Sequence, residues 1–147
     1  VRELLDALSR HGLSPSYARR RLDGMTVGQN GSAAKVEPTG TSEFIGQVFK
    51  VVNDRYVGHL SFIRVLAGKL LPNHQLYDIN TGKAVRVGHV LSVQGKSHVQ
   101  VAEAVPGDIV AVAKVDGLHV GDTVAFRPDA PLLPAIPFPA PMFGLAI

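Results

Sequence analysis

The chain has 147 residues, a net charge of +3 at neutral pH and no cysteine. That is enough for one domain with flanking pieces, and folding at about this size buries roughly 70% of the unfolded surface, so no covalent or metal staple is needed. The missing cysteine excludes a disulfide scaffold and thiolate metal sites, no apolar run reaches the ~20 residues of a membrane helix, and a charge of +3 is ordinary for a surface. A monomer in the cytoplasm, with no membrane partner, is the expectation.

Residues 1–11 carry Val1, Leu4, Leu5 and Leu8 at helical spacing, with Arg2, Glu3, Asp6 and Arg10 on the other face. Gly12 stands where a C′ glycine ends a helix, after the favourably placed Arg10 and His11. The chain starts in what reads as mid-helix, so an excised segment is expected. A helix this short is marginal alone and needs a surface to pack on. Residues 14–42 read as a linker, with Ser14-Pro15-Ser16, the basic cluster Arg19-Arg20-Arg21 and a glycine-rich run over 24–32. Loop or partial disorder is expected there, and Arg19–Arg21 is read as a solvated charge run that keeps the linker extended, against the alternative of contact with nucleic acid.

Residues 43–127 read as a β domain. Strands are expected over Phe44–Val52, His59–Ala67, Gln75–Ile79, Ala84–Val93, Val99–Val101, Ile109–Val115 and Thr123–Phe126. Turn signals recur every 8–12 residues with no helical window between them. That pattern predicts an all-β fold, a small closed antiparallel β-barrel. The strand between Gly58 and Gly68 is central. It is apolar on both parities, so its outer face is expected to meet another domain. Arg64 is its one charge. An unpaired guanidinium cannot sit in a tight barrel interior, so Ser61, Ile63 and Val65 are assigned inward, and Leu60, Phe62 and Arg64 outward. On that face Arg64 has two readings. It pairs with a carboxylate such as Asp108 or Glu43, or it faces a neighbouring domain or RNA. Residues 128–141 hold six prolines and read as a stiff spacer, after which 142–147 turn apolar like the first strand of a further domain.

Catalytic patterns are missing. Gly95-Lys96-Ser97 ends like a phosphate loop, but position 90 is Val90 where that motif needs glycine, and no helix is expected to follow. Gly82-Lys83 is followed by Ala84, which has no hydroxyl for magnesium. Hairpin turns account for both. The six histidines show no ligand-like spacing, and Asp54, Asp108, Asp116 and Asp122 stand in turn contexts. No catalytic, cofactor or metal residue is expected in this chain. Arg86, Lys96 and His98, near the Gln94–Ser97 turn, are candidates for contact with an RNA backbone, against the alternative of a solvated hairpin tip.

Four segments carry a family resemblance, in the family's order. FKVVNDRYV (49–57) with GHLSFIRVLAG (58–68) resembles the signature of the second domain of the elongation factor G family. VPGDIVAV (105–112) and GLHVGDTV (117–124) resemble that domain's later turn-strands. IPFPAPMFGLAI (136–147) is similar to the passage into its third domain, and VRELLDAL (1–8) to the last helix of its GTPase domain. The signature positions are Gly58, Leu60, Phe62, Arg64, Gly68, Gly107, Asp108, Gly121 and Asp122. Arg55 departs from the family's usual proline, and the linker 14–42 is long, which suggests a divergent paralogue. The resemblance implies this division: 1–13, end of the GTPase domain; 14–42, linker; 43–127, the barrel; 128–147, linker and start of domain III. It also implies a ribosome and ribosomal RNA partner, GTPase domain and domain III neighbours in cis, and GTP with magnesium bound upstream, outside this segment. The competing hypothesis is a regulatory or enzymatic barrel outside translation that binds a protein or small ligand.

Overall fold

The computed structural model describes residues 1–15, 36, 39–54 and 58–140. The Arg19–Arg21 cluster, the glycine-rich run 24–32, Arg55 and the apolar stretch 142–147 lie outside the described residues.

Helix α1 (Arg2–His11) has the expected apolar stripe, but no residue of it is buried. It ends at Gly12, whose N–H donates to the Leu8 carbonyl at 2.8 Å. Gly12 is extended, with φ −70°, and not left-handed as in a glycine C′ motif. The reason for glycine is steric instead, since a Cβ there would stand 2.5 Å from the Leu8 carbonyl oxygen.

The strands are β1 (Ile45–Asp54), β2 (Gly58–Ala67), β3 (His74–Asp78), β4 (Ala84–Val87), β5 (Val90–Gln94), β6 (Ser97–Gln100), β7 (Ile109–Ala113) and β8 (Thr123–Ala125). They form one sheet in the order β4-β3-β8-β1-β2-β7-β5-β6, antiparallel throughout. The ladder has two edges, β4 and β6. Yet β4 and β5 are joined by only Gly88 and His89, so the sheet curls until its two ends meet. The barrel is closed by the chain itself, not by a ladder between its edges. The long pair β1–β2 lies at its centre. Phe44, Val48, Ile63, Val65, Leu76, Val87, Val90, Val112 and Val124 fill the interior.

Besides a register shift between Ile45 and Gly46, the simple period of two fails at three places, where each failure has the same form. Val48 and Val51, Val87 and Val90, and Val112 and Val115 are inward residues three apart. Strict alternation would send the second of each pair outward. At the first, Phe49 bulges from β1, so Val48 pairs with Ile63 and Lys50 with Phe62. At the second, the Gly88-His89 step takes the chain from partner β3 to partner β7, which divides the expected single strand Ala84–Val93. At the third, Lys114 adopts a left-handed backbone, φ 57°, ending β7 at Ala113 where the sequence predicts Val115.

The proline-rich tail is not a free spacer along its whole length. Leu133 is buried with Val36, Ile45 and Ala67 in a second cluster. Its N–H donates to Thr123 Oγ1 at 3.0 Å, and Gln47 Nε2 donates to the Pro134 carbonyl at 2.9 Å. Residues before and after the barrel therefore meet on the barrel's own surface.

Candidate nucleic-acid interface

The expected contact residues are divided over the sheet: Arg64 lies on β2, Arg86 on β4, His98 on β6 and Lys96 in the β5–β6 turn. Along β2, Ser61, Ile63 and Val65 are buried and Arg64 is exposed, as the charge argument requires. Leu60 points outward and is nonetheless buried, because Leu91 and Ala111 flank it on the same face. That part of the outer face needs no second domain to cover it. Phe62 is half-buried, with the Phe49 ring 6.3 Å away and Lys50 Nζ 5.4 Å from its centroid.

Arg64 has no ion pair among the described residues. The two carboxylates proposed for it are engaged elsewhere. Glu43 accepts from Arg127 Nη1 at 3.2 Å, and Asp108 accepts the Val105 N–H at 2.9 Å. The intrachain-pair reading of Arg64 with either residue is thereby corrected. Asp108 is held within its own turn, and Glu43 by a residue 84 positions away in the chain. Arg64 instead stands opposite Gln47 on β1 and Ile109 on β7, and Ile109 is itself exposed.

Arg86 and His98 come together, although twelve positions apart. Arg86 lies on β4 opposite Gln75, and His98 on β6 opposite Val93. The β4–β5 step brings these edges to one groove of about 590 Å³, whose lining includes Arg86, His89, Leu91, His98, Ala113 and Lys114. Among the described residues no carboxylate lines it. Lys96 is exposed in the β5–β6 turn and is not part of the groove. Its neighbour Gly95 has φ 58°, as a tight hairpin turn demands. Gly95-Lys96-Ser97 thus joins two strands with no helix after it, and those residues do not fit a phosphate cradle for GTP and magnesium. Among the described residues no group of three His, Asp or Glu is arranged to hold a metal. No described helix is long and apolar enough to cross a membrane.

Lys114 and His89 were not among the candidates from sequence. The signal for both was present in the valine spacing, because each sits in a three-residue interval where the strand frame resets. The remaining signature positions frame the two central strands. Gly58 opens β2 with φ 83°, and Gly68 follows its end, pressed against the Glu43–Phe44 backbone. Gly107-Asp108 and Gly121-Asp122 form turns that hold β2 and β1 respectively.

A family model described as elongation factor G domain 2 matches residues 43–126. The chain is 34% identical over 112 residues to elongation factor G 1 of Syntrophomonas wolfei subsp. wolfei, a match covering 76% of this chain and 17% of that protein. It is 35% identical over 104 residues to elongation factor G of Hyphomonas neptunium, covering 71% of this chain and 15% of that protein. The chain thus spans less than a fifth of the length of these relatives. With that family match and an eight-stranded antiparallel barrel across the matched residues, this chain belongs to the elongation factor G family, and residues 43–126 are its domain 2.

Proposed function

We propose that this chain is the non-catalytic barrel of a translational GTPase, and that it binds the ribosome through small-subunit RNA. Family membership over 43–126 is the observation that carries the reading. The grouping of Arg86 and His98 in one groove without carboxylates supports an anionic partner. In this reading Arg86, Lys96 and His98 touch RNA backbone, Arg64 faces RNA or the GTPase domain in cis, and the barrel relays GTP-driven motion toward domain III. GTP and magnesium bind upstream of these residues, and the parent works as a monomer in the cytoplasm.

The test is co-sedimentation of the full-length parent with ribosomes, with and without a non-hydrolysable GTP analogue. Neutralising Arg86 and Lys96 is expected to flatten the salt dependence of binding by about one unit per lost phosphate contact. An unchanged slope would remove these residues from the interface, and no nucleotide-dependent sedimentation would remove the ribosome reading. Purified 1–147 is expected to show no magnesium-dependent GTP turnover.

A further inference from the structure

The choice of lysine at position 114 is unexplained by the fold. The left-handed backbone there has a clear structural purpose, because it resets the frame so that Val112 and Val115 both face inward. The Lys114 N–H also donates to the His59 carbonyl at 2.9 Å and closes the β2–β7 ladder. Glycine would meet both needs without steric cost, whereas lysine carries a Cβ into a conformation L residues disfavour. Strain retained at one side chain points to a use for that side chain. Lys114 is exposed and lines the groove with Arg86, His89 and His98.

The groove has two chemical parts. Its cations converge without a carboxylate, while Leu91 and Ala113 give it an apolar floor. A duplex backbone, recognised by its phosphates on an outer surface, would leave that floor unfilled. At about 590 Å³ the groove falls within the ~300–1,000 Å³ of small-ligand sites and is roomy enough for one nucleotide. Half-buried His98 offers a ring against which a base can stack. We infer that this groove holds a single unpaired nucleotide of an RNA, its phosphate against Arg86 and Lys114 and its base on Leu91 and Ala113 beside His98. The inference rests on the RNA-binding reading above and adds the form of RNA that is recognised.

The experiment is fluorescence anisotropy of the 147-residue chain with three labelled RNAs of matched sequence. One is a perfect duplex, one carries a single bulged nucleotide, and one carries the same bulge as an abasic site. The bulged RNA is expected to bind at least about fivefold tighter than the other two, the size of one base stacked on a side chain. His98→Ala should abolish that preference, so that the bulged RNA binds that variant no tighter than the duplex does. Lys114→Gly should weaken binding to all three RNAs while melting no lower than the unsubstituted chain, since φ 57° suits glycine. Equal binding of duplex and bulged RNA would overturn the inference and leave the ribosome reading standing. So would unchanged affinity, or a markedly lower melting temperature, in Lys114→Gly. Displacement of every RNA by polyglutamate, with no bulge preference, would assign the groove to an acidic protein segment and overturn it too. Loss of parent–ribosome sedimentation is a separate result and bears on the ribosome reading alone.

Discussion

Asp108 and Asp122 hold two adjacent strands in the same way. Each carboxylate accepts the backbone N–H three residues earlier, Val105 at 2.9 Å and His119 at 2.6 Å. Each aspartate N–H returns a bond to the carbonyl of that same residue. The preceding glycines have φ 99° and 101°. Gly107 N–H donates to the Val65 carbonyl, and Val65 N–H to the Asp108 carbonyl, at 2.8 and 3.0 Å. Gly121 and Asp122 make the matching pair with Val48, at 2.7 and 2.9 Å. Val65 and Val48 lie on β2 and β1, and both are fully buried. One turn design is used twice to anchor the barrel's central pair.

Their burial differs, so their worth should differ. Asp122 is 7% exposed, while Asp108 is exposed. Asp122→Ala is expected to cost about 1–3 kcal/mol because it orphans a partly buried N–H, and Asp108→Ala about 0.5–1.5 kcal/mol because water can replace the carboxylate. Urea denaturation of the two variants measures the difference. Equal losses would show that the two turns are not distinguished by burial.

Thr123 decides whether the tail stays on the barrel. Its hydroxyl is the acceptor for the Leu133 N–H, and both residues are buried. Thr123→Val keeps the shape and removes the acceptor, at an expected cost of about 1–3 kcal/mol. Amide hydrogen exchange at Leu133 should accelerate in that variant more than exchange within β1 and β2. A uniform change would mean that the tail and barrel open together.

Ser61 is the reverse case. Its Oγ is buried and has no hydrogen-bond partner among the described residues. Ser61→Ala removes an unsatisfied polar atom, so stability should hold or rise by up to about 1 kcal/mol. A loss above about 1 kcal/mol on denaturation would reveal a partner for the hydroxyl.

Arg64→Ala should leave the melting temperature of the chain unchanged within about 1 °C, because an exposed side chain with no ion pair among the described residues contributes little to stability. The same substitution in the full-length parent should lower ribosome-stimulated GTPase activity. A cooler melt with normal GTPase activity would return Arg64 to a purely structural role.

Arg127, just past β8, pairs with Asp129 two residues on and with Glu43 just before β1. The Arg127 guanidinium holds the Asp129 carboxyl below its usual 3.8. A depressed carboxylate stabilises the fold above its unfolded pKa and loses that contribution as pH falls through the folded one. The contribution of this exposed pair is therefore full at neutral pH and lost on acidification below about 3.8. Comparing Arg127→Gln with the unsubstituted chain across pH 2–7 checks the sign. The gap should narrow toward the acid end, and a gap that widens there contradicts it.

Much of the fold was legible along the chain. Turn glycines and alternating valines located all the sheet regions, and the charge on Arg64 was enough to orient β2, since no small barrel interior accepts a lone guanidinium. The errors fell where alternation broke. Ala84–Val93 reads as one strand because nothing local stops it, and its division depends on β3 and β7 standing on different sides of the barrel. Similarly, Glu43 and Asp108 are reasonable partners for Arg64 by chemistry, but only the fold shows that one is engaged by the distant Arg127 and the other by its own turn.

The amino-acid sequence by itself determined the barrel class, the central place of Gly58–Gly68 and the family, because periodicity, turn residues and motif order are properties of the one-dimensional chain. Tertiary structure alone decided which cations share a groove, that Lys114 is one of them, and that Leu133 is tied back to β8. Those facts depend on frame resets at Phe49, Gly88-His89 and Lys114, and on closure of the sheet by the β4–β5 step. A one-residue reset sends every following side chain to the other face, so a small local irregularity governs which distant residues meet.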